Sequence, residues 1–173
     1  ELGGPADLRR NIALAAERGI PTGLYFEGYL IDKTSGIGRR SGEAWQLINA
    51  AGRRMWWPGG SPELFVCPLI PEWQQYLAGR MAAVARDVAA QAVYLDEHGL
   101  GNRRCFANTH GHAPGAGAIP GEIRMAGEVR RALDRAGLRQ TAVYTEFNPV
   151  DAAAPCYDAA FCYALQHADP RLS

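Results

Sequence analysis

The sequence predicts an α/β fold: about four parallel strands joined by crossover helices, forming part of a (β/α)8 TIM barrel. Three observations carry this expectation. Short apolar runs alternate strictly with longer amphipathic ones, and such alternation gives parallel strands linked by helices packed on the sheet. Successive runs end at polar groups, Glu27, Asp96, Glu146 and Gln166. An open sheet would concentrate its site at one switch point, whereas a barrel uses the C-terminal end of every strand. The segments after the short runs are also much longer than those before them, as at the active face of a barrel. A whole barrel takes about 250 residues. The 173 residues here are therefore read as a single domain, 1–173, covering roughly the middle half of one.

Each element has its own signal. Pro5 stands where a first helical residue should, with Leu8, Ile12, Ala15 and Ala16 on one face and Gly19 as the stop. Thr22 to Glu27 reads as a strand that meets Gly28. Residues 28–41 read as loop, Gly42 to Ala51 as a short helix, and 52–71 as a long loop carrying Trp56, Trp57 and Cys67. Pro71-Glu72 opens the longest helix, whose stripe is Trp73, Leu77, Met81, Val84 and Val88. The strand Ala92–Leu95 follows and stops at Asp96-Glu97-His98-Gly99. Residues 99–120 form a second long loop with Cys105, His110 and His112. A helix over Glu122 to Ala136 turns Ile123, Ala126, Val129 and Leu133 inward, and Gly137 caps it. Thr141–Thr145 is a strand ending at Glu146, and Ala159–Leu165 another ending near Gln166.

Composition narrows the function. Lys+Arg and Asp+Glu both number 18, so no net field points to nucleic acid or an anionic membrane. No apolar run reaches the ~18 residues of a membrane span. No Gly-rich phosphate motif follows a strand, which argues against nucleotide binding. Cys67, Cys105, Cys156 and Cys162 have no CxxC spacing and are too sparse for a disulfide scaffold, so free or buried thiols are expected. No cofactor and no metal is expected, and the compartment stays open.

Asp96 and Glu146 end consecutive strands and so would lie side by side at the barrel mouth. Two carboxylates there suit glycoside hydrolysis: one attacks the anomeric carbon while the other protonates the leaving oxygen. The two need different environments, because one must stay protonated and the other ionised. Loop aromatics such as Trp56, Trp57 and Tyr29 could stack on sugar faces. Strand-end carboxylates also serve as helix caps or solvated loop groups in any α/β protein, so spacing alone leaves both uses open.

A series of motifs carries a resemblance: Cys67-Pro68, Trp73 on a helix, Tyr94-Leu95-Asp96-Glu97, Cys105 followed by His110-Gly111-His112 and a Gly-rich run, then Thr145-Glu146. In this order, over roughly residues 20–165, they resemble a mostly bacterial family of glycoside-hydrolase-like TIM barrels known largely as domains of unknown function. That family is similar to retaining α-glycosidases of the α-amylase and endo-α-N-acetylgalactosaminidase types. The resemblance implies that Ala92–Leu95 is barrel strand four and Thr141–Thr145 strand five. It implies Asp96 as nucleophile and Glu146 as general acid/base, with a carbohydrate substrate. Glu97 departs from the family pattern, which has Gln there. Since strand alternation turns only one of Asp96 and Glu97 inward, Asp96 is taken as the inward one.

Substrate contacts are expected from Glu27, Trp57, Glu97, His98, His110 and His112. Two other functions remain open. HxH beside an Asp can hold a metal, giving a metal-dependent hydrolase built on Asp96, His110 and His112; against it, this HxH lies mid-loop with no strand before it. The chain could also be a carbohydrate-binding barrel fragment without catalysis.

Overall fold

The structure, a computed structural model, describes residues 3–99 and 101–161. Helix α1 (Gly4–Ala16) leads into strand β1 (Gly23–Glu27), and the chain then alternates α3 (Pro71–Val88), β4 (Ala92–Asp96), α4 (Ile119–Arg135), β7 (Ala142–Thr145) and β8 (Ala159–Ala160). The four strands β1, β4, β7 and β8 form one sheet in that spatial order, all parallel. Helix α3 packs on both α1 and α4, so the helices make one layer. A doubly wound sheet reverses its strand order partway across. Here sequence order and spatial order coincide, which is the winding of a (β/α)8 barrel, and the described sheet is a partial barrel.

Strand alternation gives the sheet two unlike faces. Val93, Leu95 and Val143 are fully buried and join Met81, Ala85 and Val88 of α3 with Met125, Val129 and Leu133 of α4 in one core. The other face carries Tyr25, Tyr94 and Tyr144, which are register partners across the three strands. Their rings form a row, with centroids 5.6 Å apart for Tyr25–Tyr94 and 5.0 Å for Tyr94–Tyr144. Tyr25 is 60% exposed. This face is the inner side of the barrel arc.

The long crossover from β1 to α3 departs from expectation. Strand β2 (Leu30–Asp32) pairs antiparallel with β3 (Glu63–Phe65), inside segments expected to be loop. A π-helical turn, Gly38–Gly42, lies largely in the expected loop 28–41, and only a single turn of α-helix, α2 (Glu43–Trp45), stands where a helix from Gly42 to Ala51 was expected. The chain leaves the helix at Gln46 because its backbone groups find partners across strands instead. Leu47 donates to the Phe65 carbonyl at 2.8 Å, and Met55 donates to the Leu47 carbonyl at 3.0 Å. Isolated bridges Gln46–Val66, Ile48–Arg54 and Trp56–Leu64 extend this small antiparallel unit. Pairs only three residues long show no readable alternation in sequence.

The loop after β4 holds a second short pair, β5 (Arg104–Cys105) with β6 (Ala116–Gly117). Helix α4 starts at Ile119, before the expected Glu122, since Pro120 suits the first turn. A 3-10 turn at Ala154–Cys156 precedes β8. The rest of the expected last strand, with Gln166, lies outside the described residues. Among the described residues no helix is long and apolar enough to cross a membrane.

The exits of β1 and β4 touch at Gly28. A Cβ there would lie 2.4 Å from His98 Cδ2 and 2.7 Å from the Asp96 carbonyl oxygen. The Trp73 indole N–H donates to the Gly28 carbonyl at 3.1 Å, fixing this crossing from below. Gly28→Ala is expected to cost about 1–3 kcal/mol through overpacking. Gly79→Ala, in open space on α3, is expected to be neutral or stabilising by up to about 1 kcal/mol. Urea-unfolding midpoints of the two variants check the contrast.

Candidate active site

Strand register brings the strand-end acids into one row. Glu27 is the register partner of Asp96, and Glu146 follows directly on β7, whose Thr145 pairs with Leu95. Each acid stands two residues after a tyrosine of the inner face, so all three share that face by strand period. This repeated Tyr-x-acid pattern, at 25–27, 94–96 and 144–146, is legible in the sequence, though its meaning emerges only with the strands aligned.

Asp96 occupies the middle. Its Oδ2 accepts the Tyr25 hydroxyl at 2.5 Å and its Oδ1 accepts the Tyr94 hydroxyl at 2.8 Å. The Tyr25 hydroxyl also reaches Glu27 Oε2 at 3.0 Å, linking the first two acids. Burial first, and then the neighbouring carboxylates, push both phenols above their ordinary range, so they remain O–H donors. Asp96 is half-buried, open to the mouth.

Glu146 is 7% exposed. Burial raises its pKa, and the charges of Asp96 and Glu97 and a hydrogen bond with Asp96 add to the rise. A backbone bond opposes it: the Glu97 N–H donates to Glu146 Oε2 at 2.8 Å. That donor is aimed by an unusual backbone, since Glu97 has φ 61, a left-handed conformation that non-glycine residues seldom adopt. Thr145 ties the same turn down, its hydroxyl donating to the Leu95 and His98 carbonyls at 3.2 and 2.9 Å.

Of the two adjacent acids at the end of β4, Asp96 faces the tyrosine row and Glu97, in the turn just beyond the strand, turns away. The Glu97 carboxylate pairs with Arg103, both largely buried. The Arg103 guanidinium in turn lies over the rings of Phe65 at 4.2 Å and Tyr29 at 5.0 Å. This links the loop after β4 to the antiparallel insert.

The other residues expected to meet substrate lie in varied places. Glu27 is on the row. His98 is 1% exposed, packed against Tyr29 with ring centroids 4.9 Å apart, and burial depresses its pKa so that it stays neutral. Trp57 sits on the insert, its ring 5.6 Å from that of Phe65. His110 and His112 face cysteines: Cys105 Sγ is 3.4 Å from His110 Nδ1, and Cys67 Sγ is 3.2 Å from His112 Nε2. Asp96 is not a member of that group, so the Asp96–His110–His112 metal set does not assemble among the described residues.

The Glu27 carboxyl is raised well above the ordinary carboxylate range. Burial lifts it from its ordinary 4.5 to about 7, against hydrogen bonds from the Tyr29 N–H and the Tyr25 hydroxyl. The folded protein therefore binds this proton more tightly than the unfolded chain. Its contribution to stability is full below pH about 4.5 and is lost as pH rises through about 7. Glu27→Gln is expected to flatten that part of the stability–pH curve, and urea unfolding of both proteins at about pH 5 and about pH 8 measures it.

Comparison with known proteins agrees with this architecture. An α-galactosidase from Thermus thermophilus, in complex with stachyose, matches with a TM-score of 0.60 and 18% identity, over 89% of this chain and 30% of that one. A maltogenic α-amylase from Thermotoga neapolitana matches at 0.65 with 13% identity, over 94% of this chain and 33% of that one. An α-xylosidase from a soil metagenome, complexed with xylose, matches at 0.67 with 14% identity, over 89% and 23%. These likenesses speak to fold. A Bacteroides thetaiotaomicron protein named "Putative glycoside hydrolase" is 36% identical over 52 residues, which are 30% of this chain and 8% of that protein. The chain thus spans a third or less of the length of each of these relatives. Residues 3–137 match the model of a family described as a domain of unknown function, DUF6259, and the chain belongs to that family.

Proposed function

We infer that this chain carries the catalytic acids of a retaining glycoside hydrolase acting on α-linked sugars. The observation that carries the inference is the row of acids at adjacent strand ends, with Asp96 bonded by two tyrosines and Glu146 buried and raised in pKa beside it. The three structural neighbours described above are all named for α-glycosidic activities, which supports the linkage class.

In this mechanism an Asp96 oxygen attacks the anomeric carbon as the bond to the leaving oxygen breaks. Glu146 gives its proton to that oxygen. In the second half Glu146, now a carboxylate, takes a proton from water, the water oxygen attacks the same carbon, and Asp96 is released. Direct attack needs carboxyls ~5–5.5 Å apart, whereas an inverting path needs ~6.5–9.5 Å to admit a water; the influence of Asp96 on the raised pKa of Glu146 supports the former. The Glu97 N–H would hold one Glu146 oxygen and leave the other for the proton. Glu27 would accept hydrogen bonds from sugar hydroxyls. With Arg103 and cysteine partners engaging Glu97, His110 and His112, these residues would act on substrate through the loops they hold.

One observation favours a second assignment of the proton donor: Glu27, at about 7, is well placed to stay protonated at neutral pH. The variants Asp96→Asn, Glu146→Gln and Glu27→Gln, assayed on aryl α- and β-glycosides, separate the possibilities. Asp96→Asn is expected to lower kcat/KM for an α-glycoside by at least about a thousandfold. Glu146→Gln is expected to be rescued by azide with a retained-configuration azide product. Azide rescue of Glu27→Gln instead would transfer the acid/base role to Glu27. Full activity in Asp96→Asn would end the nucleophile assignment, and binding without hydrolysis in the unaltered protein would leave a carbohydrate-binding barrel.

A further inference from the structure

Away from the acid row, Cys67, Cys105, His110 and His112 bring four ligand atoms within 4.8 Å of one another. They come from distant stretches of chain. Cys67 follows β3 in the insert between β1 and α3, and the other three belong to the loop between β4 and α4. We propose that these four side chains bind a structural zinc ion, or a like tetrahedral divalent metal, that clamps the two long loops of the barrel mouth together.

The geometry fits a tetrahedral ion. With Zn–S of about 2.3 Å and Zn–N of about 2.0–2.1 Å, a tetrahedron spaces a sulfur and a nitrogen ligand ~3.5 Å apart. Cys67 Sγ–His112 Nε2 and Cys105 Sγ–His110 Nδ1 are 3.2 and 3.4 Å apart. The His110 and His112 rings meet edge-on at 73° with centroids 5.6 Å apart, converging from different directions. Both sulfurs are shielded, Cys67 at 0% and Cys105 at 1% exposure, and His110 is 5% exposed.

A second observation concerns the tautomer. His112 Nδ1 lies 2.9 Å from the Ala113 carbonyl oxygen, which can only accept, so Nδ1 carries the proton. That leaves the Nε2 lone pair aimed at the cluster, where Cys67 Sγ lies. Metal-bound histidines are commonly oriented in this way, one nitrogen on the ion and the other donating to a carbonyl.

Four protein ligands close the coordination shell, which makes the site structural rather than catalytic. Its effect would be mechanical. A main-chain bond already stitches the same seam, Phe106 N–H donating to the Ile48 carbonyl, while Cys67 N–H to the Trp45 carbonyl and Gly115 N–H to the Cys105 carbonyl hold each loop to itself. The clamp would fix the loop that starts at Glu97 and carries Arg103, both next to the acid row. It departs from the expectation of no metal drawn from sequence. It stands independently of the glycosidase proposal, because it needs no chemistry at Asp96 or Glu146.

The test uses the full chain, purified under reducing conditions without chelator. Elemental analysis is expected to find about one zinc per chain, released on titration of the thiols with a mercurial. Replacement by Co(II) is expected to give the intense visible bands of tetrahedral cobalt with a thiolate charge-transfer band. His112→Ala, on the most exposed ligand, is expected to weaken Co(II) binding by more than about a hundredfold, while circular dichroism checks that the variant is folded. If Cys105→Ser fails to fold, the cobalt spectrum of the unaltered chain still decides. Either all four thiols of the chain titrating freely with no stoichiometric metal, or a mass two hydrogens lighter from a Cys67–Cys105 disulfide, would overturn the proposal.

Discussion

Parallel register is the constraint on which the site depends. Tyr25, Tyr94 and Tyr144 align across three strands, and Glu27 and Asp96 across two of them. Because side chains alternate along a strand, this alignment sends every tyrosine and every acid to the inner face and Leu95, Val93 and Val143 to the helices. A slip of one residue in β4 would bury Asp96 under α3 and α4 and expose Leu95. The apolar core is therefore also what aims the acids. Burial against the helices fixes the register, and the register builds the row.

The strand exits make the same point at closer range. Gly28 lets the β1 exit pass against His98 and the Asp96 carbonyl. Trp73, from the first turn of α3, bonds the Gly28 carbonyl. Glu97 accepts a left-handed backbone and so delivers its amide to Glu146. Strain of this kind persists only where surroundings over-determine it. Here those surroundings are the Arg103 ion pair, the Thr145 hydroxyl bonds and the insert that supports Arg103 from below. The insert is thus part of the mouth's scaffold.

Much of this was legible in the sequence. The long amphipathic stripe from Trp73 to Val88 and the apolar runs at β1, β4 and β7 are strong periodic signals, and the helices and strands stand where those signals put them. One refinement is that Ala85 rather than Val84 is fully buried in α3. Alternation lets only one of Asp96 and Glu97 face inward, and Asp96, the one the family resemblance implies, is the one bonded to the tyrosine row. The tyrosines themselves were missed, because each looked like a strand former until the three strands were laid side by side. The antiparallel insert was illegible for a different reason. Its strands are three residues long and its pairing is set by tertiary contacts. The grouping of Cys67 with Cys105, His110 and His112 depends on that insert folding back, so cysteine spacing alone could not reveal it.

The central claim is that Asp96 bonds to the sugar. Reaction of the protein with 5-fluoroglycosyl fluorides, which slow release of a glycosyl intermediate more than its formation, followed by peptide mass mapping, tests this most directly. The account predicts one glycosyl adduct, on the peptide carrying Asp96 and at that residue. An adduct on Glu27 or Glu146, or hydrolysis of an α-glycoside with inverted configuration at the anomeric carbon, would contradict it.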